Sequence, residues 1–277
     1  MAGNAGDAGD AGDAGNVAWV GAGNFLSDRV DLPFLMEKDV ADQLTSRTRF
    51  GERNWAAKWS AWRVLADFGR IDWQAQIHVP RPEEIASKPL KEEIKDLQTM
   101  ALDERPDALG EIVAQKDEFI SYFMTLMGGN PTTHSASFLV FNIANLVATL
   151  VVMHFKGILD RPRPSHISPA LLPPLEVPGH ASYPSGHATQ AHLFARCAKE
   201  MLPQPSGVDV ALDALAARIA RNREIAGLHY KSDSTAGEHL AGAVFQILNG
   251  PAMVQTFGPA MERAKSEWLE AYPKPNS

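Results

Sequence analysis

Three short stretches of the sequence carry residues that could bind an oxyanion and perform chemistry on it. The first runs from Lys156 to Pro164, the second from Tyr183 to Ala188, and the third from Arg223 to Asp233. Together they hold cationic side chains, a Ser-Gly turn, two histidines and a carboxylate. These residue types, in this order, predict a pocket for a tetrahedral anion.

The cationic side chains of these stretches are suited to the oxygens of such an anion. Arg163 and Arg223 can each form bidentate hydrogen bonds with it, and Lys156 adds a compact charge. Ser185 and Gly186 follow a proline and are predicted to open a helix, where backbone N–H groups and the helix dipole favour an anion. Glycine at this point also lets the main chain approach the anion closely. We therefore expect all five residues to line the anion site.

Two histidines and an aspartate are the candidates for bond making and proton transfer. Imidazole titrates near neutral pH, so one of His187 and His229 can act as a nucleophile and the other as a proton donor to the leaving oxygen. Asp233 follows His229 by one helical turn and can accept a hydrogen bond from its second ring nitrogen, which would fix the tautomer. The predicted catalytic residues are therefore His187, His229 and Asp233.

The order and spacing of the three stretches resemble a known signature. Lys-x6-Arg-Pro, Pro-Ser-Gly-His and Arg-x5-His-x3-Asp are similar to the motifs of the type 2 phosphatidic acid phosphatase and vanadium haloperoxidase superfamily. The resemblance covers about the C-terminal half of the chain. It departs at Asn222, where the superfamily usually has a serine before the third-motif arginine.

The resemblance implies, as a first function, a phosphoric monoester hydrolase that needs no metal ion or other cofactor. His229 would attack phosphorus, His187 would protonate the leaving alkoxide, and a phosphohistidine would then be hydrolysed. A small-molecule phosphate ester is the expected substrate. The short spacings between Arg163, Ser185 and Arg223 resemble those of the smaller phosphatases and favour this function.

A vanadium-dependent haloperoxidase is the alternative. Vanadate would occupy the same pocket as a cofactor, with His229 as the axial ligand of the vanadium, and a halide would be oxidised by hydrogen peroxide. His180 favours this function, because the run from His180 to Gln190 resembles that of vanadium bromoperoxidases, with a candidate halide-side or substrate-side histidine. An ordinary loop residue is the other interpretation of His180.

Composition limits the remaining classes of function. The chain has 277 residues and a net charge of -7, so it lacks the basic surface of a nucleic-acid-binding protein. Its hydrophobic fraction of 45% is sufficient for a large core. Cys197 is the only cysteine, so an intrachain disulfide cannot form, and its apolar helical setting predicts a buried side chain.

The pattern along the chain predicts an all-α fold, and the resemblance implies a compact helical bundle of the acid phosphatase and vanadium haloperoxidase type. No stretch alternates like a strand. The segment 136–155 carries no formal charge and is long enough to span a bilayer, but it is predicted to be the central buried helix of a soluble bundle. Arg161 is expected at the rim of the site, with direct anion contact as the alternative. The other expected helices are residues 83–102, 106–127, 185–202, 210–228, 234–248 and 251–272.

Domain organisation and location are predicted from the same pattern. Residues 1–16 form a Gly/Asp/Ala repeat without the features of a signal peptide and are predicted to be a disordered tail. Residues 17–277 are predicted to form a single helical domain with the active-site core in 136–248. The absence of signal-peptide features favours a cytoplasmic location, with a processed mature chain of unknown location as the alternative. We expect no integral membrane segment and no nucleic-acid partner, and the apolar helices leave room for a homodimer.

Overall fold

All of the regular structure that the computed structural model describes, in residues 55–204 and 206–271, is helical. The predicted all-α class is therefore confirmed. By its internal contacts the chain divides into two compact units, residues 1–58 and 59–277. The α-helices, in chain order, are α1 (Ala57–Phe68), α2 (Pro82–Ile85), α3 (Leu90–Asp103), α4 (Arg105–Ala114), α5 (Ile120–Met127), α6 (Ser135–Leu159), α7 (Pro164–Ile167), α8 (Gly186–Met201), α9 (Asp209–Ile225), α10 (Lys231–Leu248) and α11 (Phe257–Ala271).

The predicted tail, residues 1–16, lies outside the described residues. The prediction of a single domain over residues 17–277 stays a prediction. The described helices belong to the unit that begins at Trp59, apart from the first two residues of α1.

Helix α6 is fixed at both ends by specific polar groups. At its N-terminus the carboxylate of Glu267 accepts hydrogen bonds from the backbone N–H groups of Ala136 and Ser137 at 2.7 and 2.9 Å. These N–H groups have no intrahelical acceptor, so the negatively charged side chain supplies one. Its charge also interacts favourably with the positive end of the helix dipole. At the C-terminus Asp160 adopts a left-handed conformation with φ of 41° and ends the helix. Lys156 therefore lies in the last turn, where a cation is favoured.

Helix α8 is the central element of the bundle and packs against α6, α9 and α10. Its fully buried Phe194 contacts a cluster of aromatic rings, with centroid distances of 5.5 Å to Phe119, 5.6 Å to Phe123 and 5.5 Å to Phe141. Burying such side chains stabilises the fold by about 1.5–3 kcal/mol each. The packing of α8 fixes the position of the Ser185–His187 segment at its N-terminus.

A glycine lets α10 approach the beginning of α8. A Cβ atom at Gly237 would lie 2.8 Å from both the Cβ of Ala188 and the carbonyl oxygen of Ser185. No real side chain tolerates such a distance to backbone, so only glycine fits there. The close approach brings the first turn of α10, which contains Asp233, beside the first turn of α8.

Most predicted helices are present, with shifted ends. The helix predicted for residues 136–155 is present as α6, although α8 is the central element of the bundle. Helices α8, α9 and α10 match their predicted ranges within a few residues. The continuous helices predicted for 83–102 and 106–127 are wrong, because each is divided into two. Pro89 precedes α3 and interrupts the first, since proline cannot continue a helix. The predicted 251–272 helix is a short 3-10 turn, Pro251–Met253, followed by α11.

Among the described residues, one helical segment is long and apolar enough to cross a membrane, judged by length and composition alone. It contains α6 and has a mean hydropathy of 2.1, and half of this window is buried inside the protein. A core helix of a globular protein has the same character. The expected absence of an integral membrane segment therefore stays a prediction.

Candidate functional site between α6, α8 and α10

Lys156 is buried, with 2% of its surface exposed, and faces the loop before α8. Its Nζ atom donates hydrogen bonds to the carbonyl oxygens of Ala181 and Ser182, both at 2.7 Å. An ammonium group has three donors, so one remains after these two bonds. Lys156 therefore both anchors this loop and keeps a donor that an anion could use.

Arg163 immediately precedes α7 and joins the loop before α8 to the turn before α10. Its Nε donates to the carbonyl oxygen of His180 at 3.0 Å, and one terminal nitrogen donates to the carbonyl oxygen of Leu228 at 2.9 Å. The same nitrogen lies 3.4 Å from Nε2 of His229, and the other lies 3.1 Å from Nδ1 of His180. The guanidinium group of Arg163 is thus in contact with both His229 and His180.

Burial lowers the proton affinity of these cations. It lowers the pKa of Lys156 to about 7, aided by the positive charge of Arg163 and opposed by the carboxylate of Asp233. Burial also lowers the pKa of Arg163 to about 10, again opposed by Asp233. Arg163 is therefore charged at neutral pH, whereas Lys156 is close to its midpoint. A bound anion would favour the charged form of Lys156.

Ser185 caps the N-terminus of α8. Its side-chain oxygen accepts from the backbone N–H of Ala188 at 3.4 Å, and its own backbone N–H donates to the carbonyl oxygen of Asp233 at 3.0 Å. The following N–H groups, of Gly186 and His187, are at the first helical positions, which have no intrahelical acceptor. A helix N-terminus of this kind favours an anion, as the sequence predicts.

His229 lies in the turn between α9 and α10 and has a fixed tautomer. Its Nδ1 atom is 3.0 Å from the carboxylate oxygen Oδ2 of Asp233, which can only accept a hydrogen bond when ionised. Its Nε2 atom faces Arg163, which can only donate. Both neighbours require the proton on Nδ1 and the lone pair on Nε2. Ser182 completes the arrangement with a very short hydrogen bond from its hydroxyl group to Oδ2 of Asp233.

The charges around His229 keep the imidazole neutral and the carboxylate ionised. Burial, together with the positive charges of Lys156 and Arg163 and against the opposing effect of Asp233, lowers the pKa of His229 to about 3. Burial alone would raise the pKa of Asp233, but the hydrogen bond from His229 and the charge of Arg161 hold it below its usual value. At neutral pH the Nε2 lone pair is therefore available for a nucleophilic attack.

His187, the second residue of α8, is partly exposed and held by main-chain groups. Its Nε2 atom lies 3.1 Å from the carbonyl oxygens of both Gln115 and Lys116, and its ring stacks on Phe119 at a centroid distance of 5.3 Å. Because carbonyl oxygens only accept, Nε2 carries a proton, and Nδ1 is the atom that can take up a second one. Burial, followed by the charge of Arg223, lowers the pKa of His187 to about 4.

Arg223 lies in the last turn of α9 and is buried, with 1% of its surface exposed. One terminal nitrogen donates to the carbonyl oxygen of Ile112 at 2.6 Å, while its Nε is buried without a hydrogen-bond partner. A buried donor without a partner costs about 1–3 kcal/mol, which an anion at this position would recover. Phosphate and vanadate are both tetrahedral oxyanions, so the orphaned donor suits either. Burial lowers the pKa of Arg223 to about 10.

Asn222, the departure from the superfamily pattern, supports the groups behind His187. Its amide nitrogen donates to the side-chain oxygen of buried Gln115 at 2.8 Å. The carbonyl oxygen of Gln115 is one of the two that accept from His187. The asparagine therefore keeps a polar contact at this position, and it fixes the end of α4.

The structure brings the predicted residues together in two groups. Asp233, His229, Arg163, Lys156, Ser185 and His180 are linked directly or through a shared loop. The side chains of His187 and Arg223 instead bond to carbonyl oxygens of residues 112–116. The charge of Arg163 lowers the pKa of both His187 and His229, so the two groups act on each other electrostatically. Within the described ranges, no cluster of three His, Cys, Asp or Glu side chains is arranged to hold a metal ion.

Sequence reasoning missed two contributors and misplaced a third. Ser182 and Glu93 were not predicted, and Arg161 was expected at the rim. The side chain of Arg161 is only 11% exposed and pairs with the buried carboxylates of Asp233 and Glu93. Its position two residues before Arg163, in an Arg-Pro-Arg run, was the available signal.

Comparisons with known proteins find phosphatases. No family model matches the sequence. The chain is 28% identical over 127 residues to decaprenylphosphoryl-5-phosphoribose phosphatase of Mycobacterium tuberculosis, which covers 46% of this chain and 64% of that protein. The same enzyme matches equally in a second strain of that organism. The curated match to a phosphatase agrees with the resemblance that the three motifs carry.

A solved structure is also similar in outline. The crystal structure of a transmembrane PAP2-type phosphatidylglycerolphosphate phosphatase from Bacillus subtilis matches 68% of this chain and 95% of its own, with a TM-score of 0.44 and 17% sequence identity.

Proposed function

We propose that this chain is a phosphatase of the type 2 phosphatidic acid phosphatase superfamily, which hydrolyses phosphate monoesters through a phosphohistidine at His229. The observation that carries the proposal is the arrangement of His229 between Asp233 and Arg163, which keeps the proton on Nδ1 and the lone pair on Nε2. A fixed, neutral imidazole next to a cation suits attack on a phosphoryl group. The curated relative supports the reaction class.

In the first step, Nε2 of His229 forms a bond to phosphorus as the ester P–O bond breaks. Asp233 accepts the hydrogen bond from Nδ1 and stabilises the positive charge that develops on the ring. The guanidinium groups of Arg163 and Arg223 hold the phosphoryl oxygens, with the N–H groups at the start of α8. His187, protonated at Nδ1 while the dianion is bound, gives its proton to the leaving oxygen.

In the second step, water attacks the phosphohistidine. Nδ1 of His187, now neutral, takes a proton from the water as its oxygen bonds to phosphorus, and the P–N bond to His229 breaks. This returns both imidazoles to their starting states. No step uses a metal ion or another cofactor.

Hydrolysis of p-nitrophenyl phosphate by the purified protein in EDTA tests this function. We expect turnover in the wild type and at least about a 10⁴-fold loss in His229→Ala, because the nucleophile is removed. His239→Ala is the matched control, since His239 is an exposed histidine on α10. Full activity in His229→Ala, or activity that EDTA abolishes and a divalent cation restores, would contradict the mechanism.

The substrate, location and assembly of the protein are part of the same proposal. The curated relative is named for a lipid-linked phosphate, so the assay should compare a water-soluble sugar phosphate with phosphatidic acid in detergent micelles. We propose the soluble ester as the preferred substrate. The cytoplasmic location, the absence of a nucleic-acid partner and the homodimer stay predictions, as does the haloperoxidase alternative. Ultracentrifugation of cell extracts distinguishes a soluble protein from one anchored through α6.

A further inference from the structure

Arg161 lies between the buried carboxylates of Glu93 and Asp233, which are far apart in the sequence. One terminal nitrogen donates to Oδ1 of Asp233 at 2.6 Å, and the other donates to Oε2 of Glu93 at 3.0 Å. The exposed fractions of these side chains are 11% for Arg161, 4% for Glu93 and 0% for Asp233. Planar guanidinium forks are suited to joining two carboxylates in this way, whereas an ammonium group is not.

Glu93 also holds the first turn of α10. Its Oε1 accepts from the backbone N–H of Ser232 at 2.8 Å, and its Oε2 accepts from the hydroxyl group of Ser232 at 2.9 Å. Ser232 precedes Asp233 directly, and its N–H is one of the groups at a helix start that lack an intrahelical acceptor. Glu93 thus fixes the position of the backbone next to Asp233, although it lies on α3, outside all three motifs.

Two tyrosine rings limit the orientation of the Arg161 guanidinium. Its central carbon lies 3.9 Å from the centroid of the Tyr230 ring and 5.9 Å from that of Tyr183. Such cation–π contacts are favourable and hold the planar group in place. Tyr230 also donates its backbone N–H to Oδ2 of Asp233 at 3.2 Å. The arginine and the carboxylate it binds are therefore both held by Tyr230.

We propose that Arg161 and Glu93 are positioning residues for the nucleophile His229. Arg161 occupies Oδ1 of Asp233, so the carboxylate can present only Oδ2 to Nδ1 of His229. This orientation keeps the proton on Nδ1 and the lone pair on Nε2. Both terminal nitrogens of Arg161 are bonded to carboxylates, so we expect these residues to act on the step in which the imidazole attacks rather than on binding of the substrate. This inference rests on the proposed role of His229.

Steady-state kinetics with p-nitrophenyl phosphate measure this positioning role. We expect Arg161→Met to lower kcat about 100-fold, with KM within about two-fold of the wild type. Arg161→Lys keeps the charge but cannot bridge both carboxylates, so it should recover part of the loss and remain about 10-fold below the wild type. Glu93→Gln should resemble Arg161→Lys. Wild-type kcat in both arginine variants, or a loss confined to KM, would overturn the proposal.

The matched control is Arg221→Met. Arg221 pairs with Glu104 at 2.7 Å, and the two side chains are 48% and 39% exposed. This change removes the same side chain and the same charge from an exposed ion pair, so kcat should stay at the wild-type value. If kcat fell as much in Arg221→Met as in Arg161→Met, loss of any arginine–glutamate pair would be enough to lower kcat. That result would contradict a specific role for Arg161.

The tautomer of His229 provides a second measurement, independent of turnover. In protein labelled with nitrogen-15 at histidine, NMR should show His229 with its proton on Nδ1 in the wild type and a mixture of tautomers in Arg161→Lys. An unchanged spectrum in this variant would overturn the proposal even if Arg161→Met fails to fold. If the wild type shows no phosphatase activity, the proposed function is wrong, and the NMR result alone decides whether Arg161 positions the ring.

Discussion

His229 is held by side chains, whereas His187 is held by the main chain. The Nδ1 atom of His229 is bonded to a buried carboxylate, and its Nε2 faces a guanidinium group. The Nε2 atom of His187 is bonded to two carbonyl oxygens at the end of α4, and its ring stacks on Phe119. His229, the proposed nucleophile, thus has a charged partner that stabilises positive charge on its ring. His187, the proposed acid, is held only by neutral groups.

The difference predicts how each histidine responds to substitution of its surroundings. A single side-chain change can reverse the hydrogen bond at Nδ1 of His229, since Asp233 is its acceptor. No side-chain change removes a carbonyl oxygen, so the ring of His187 stays held while α4 keeps its end. Function should therefore be most sensitive to substitutions around His229.

The largest effect is expected for Asp233→Asn. The amide can donate as well as accept, so it no longer requires the proton on Nδ1, and it cannot stabilise a positive ring. We expect kcat for p-nitrophenyl phosphate to fall roughly 10³-fold. The control is Asp213→Asn, because Asp213 is 56% exposed and pairs with Lys199 at 2.7 Å. Similar kcat values for the two variants would show that the carboxylate beside His229 has no special role, which would contradict the proposed difference between His229 and His187.

The next effect concerns the proton that His187 is proposed to donate. Nitrophenolate needs no proton to leave, whereas an alkoxide does, so His187→Ala should affect the two kinds of ester differently. We expect about a 10²-fold loss in the first turnover of an alkyl phosphate and about 10-fold or less for p-nitrophenyl phosphate. Rapid-mixing measurements of the first turnover give both values. Equal losses for the two esters would mean that His187 is not the acid.

The smallest effect is a dependence of anion binding on the charge of Lys156. Burial, aided by Arg163, lowers the pKa of this lysine to about 7, so the free site loses positive charge as the pH rises through this value. Sulfate keeps its charge over this range, and its inhibition constant should rise by up to about tenfold per pH unit above pH 7. In Lys156→Arg the rise should be flatter, because a guanidinium group stays charged. A sulfate inhibition constant that does not change with pH in the wild type would contradict the lowered pKa of Lys156.

The helices that carry the motifs could be predicted from the sequence because their signals are local. The apolar run that became α6 is bounded by polar residues, and Ser185 after a proline is a standard helix cap. The break between α4 and α5 could not be predicted in this way, since residues 115–119 contain neither glycine nor proline. There a side chain begins the next helix, as Glu118 accepts from the backbone N–H of Ser121 at 3.0 Å.

The candidate site shows the same division between local and tertiary information. Residues within the motifs, such as His229 and Asp233, could be predicted because their types and spacing suit one reaction. Glu93 could not, because nothing in its own stretch distinguishes it from the other acids on α3. Its role depends on the packing that brings it to Arg161 and Ser232. Arg161 was misplaced for the same reason, since its burial follows from that packing.

The stereochemistry of phosphoryl transfer tests the covalent role of His229 most directly. The measurement uses a phosphate monoester made chiral with oxygen isotopes and an added alcohol as the acceptor. Transfer through a phosphohistidine requires two in-line displacements, each of which inverts phosphorus, so the account predicts retention of configuration. Inversion would show a single direct displacement and would contradict a nucleophilic role for His229.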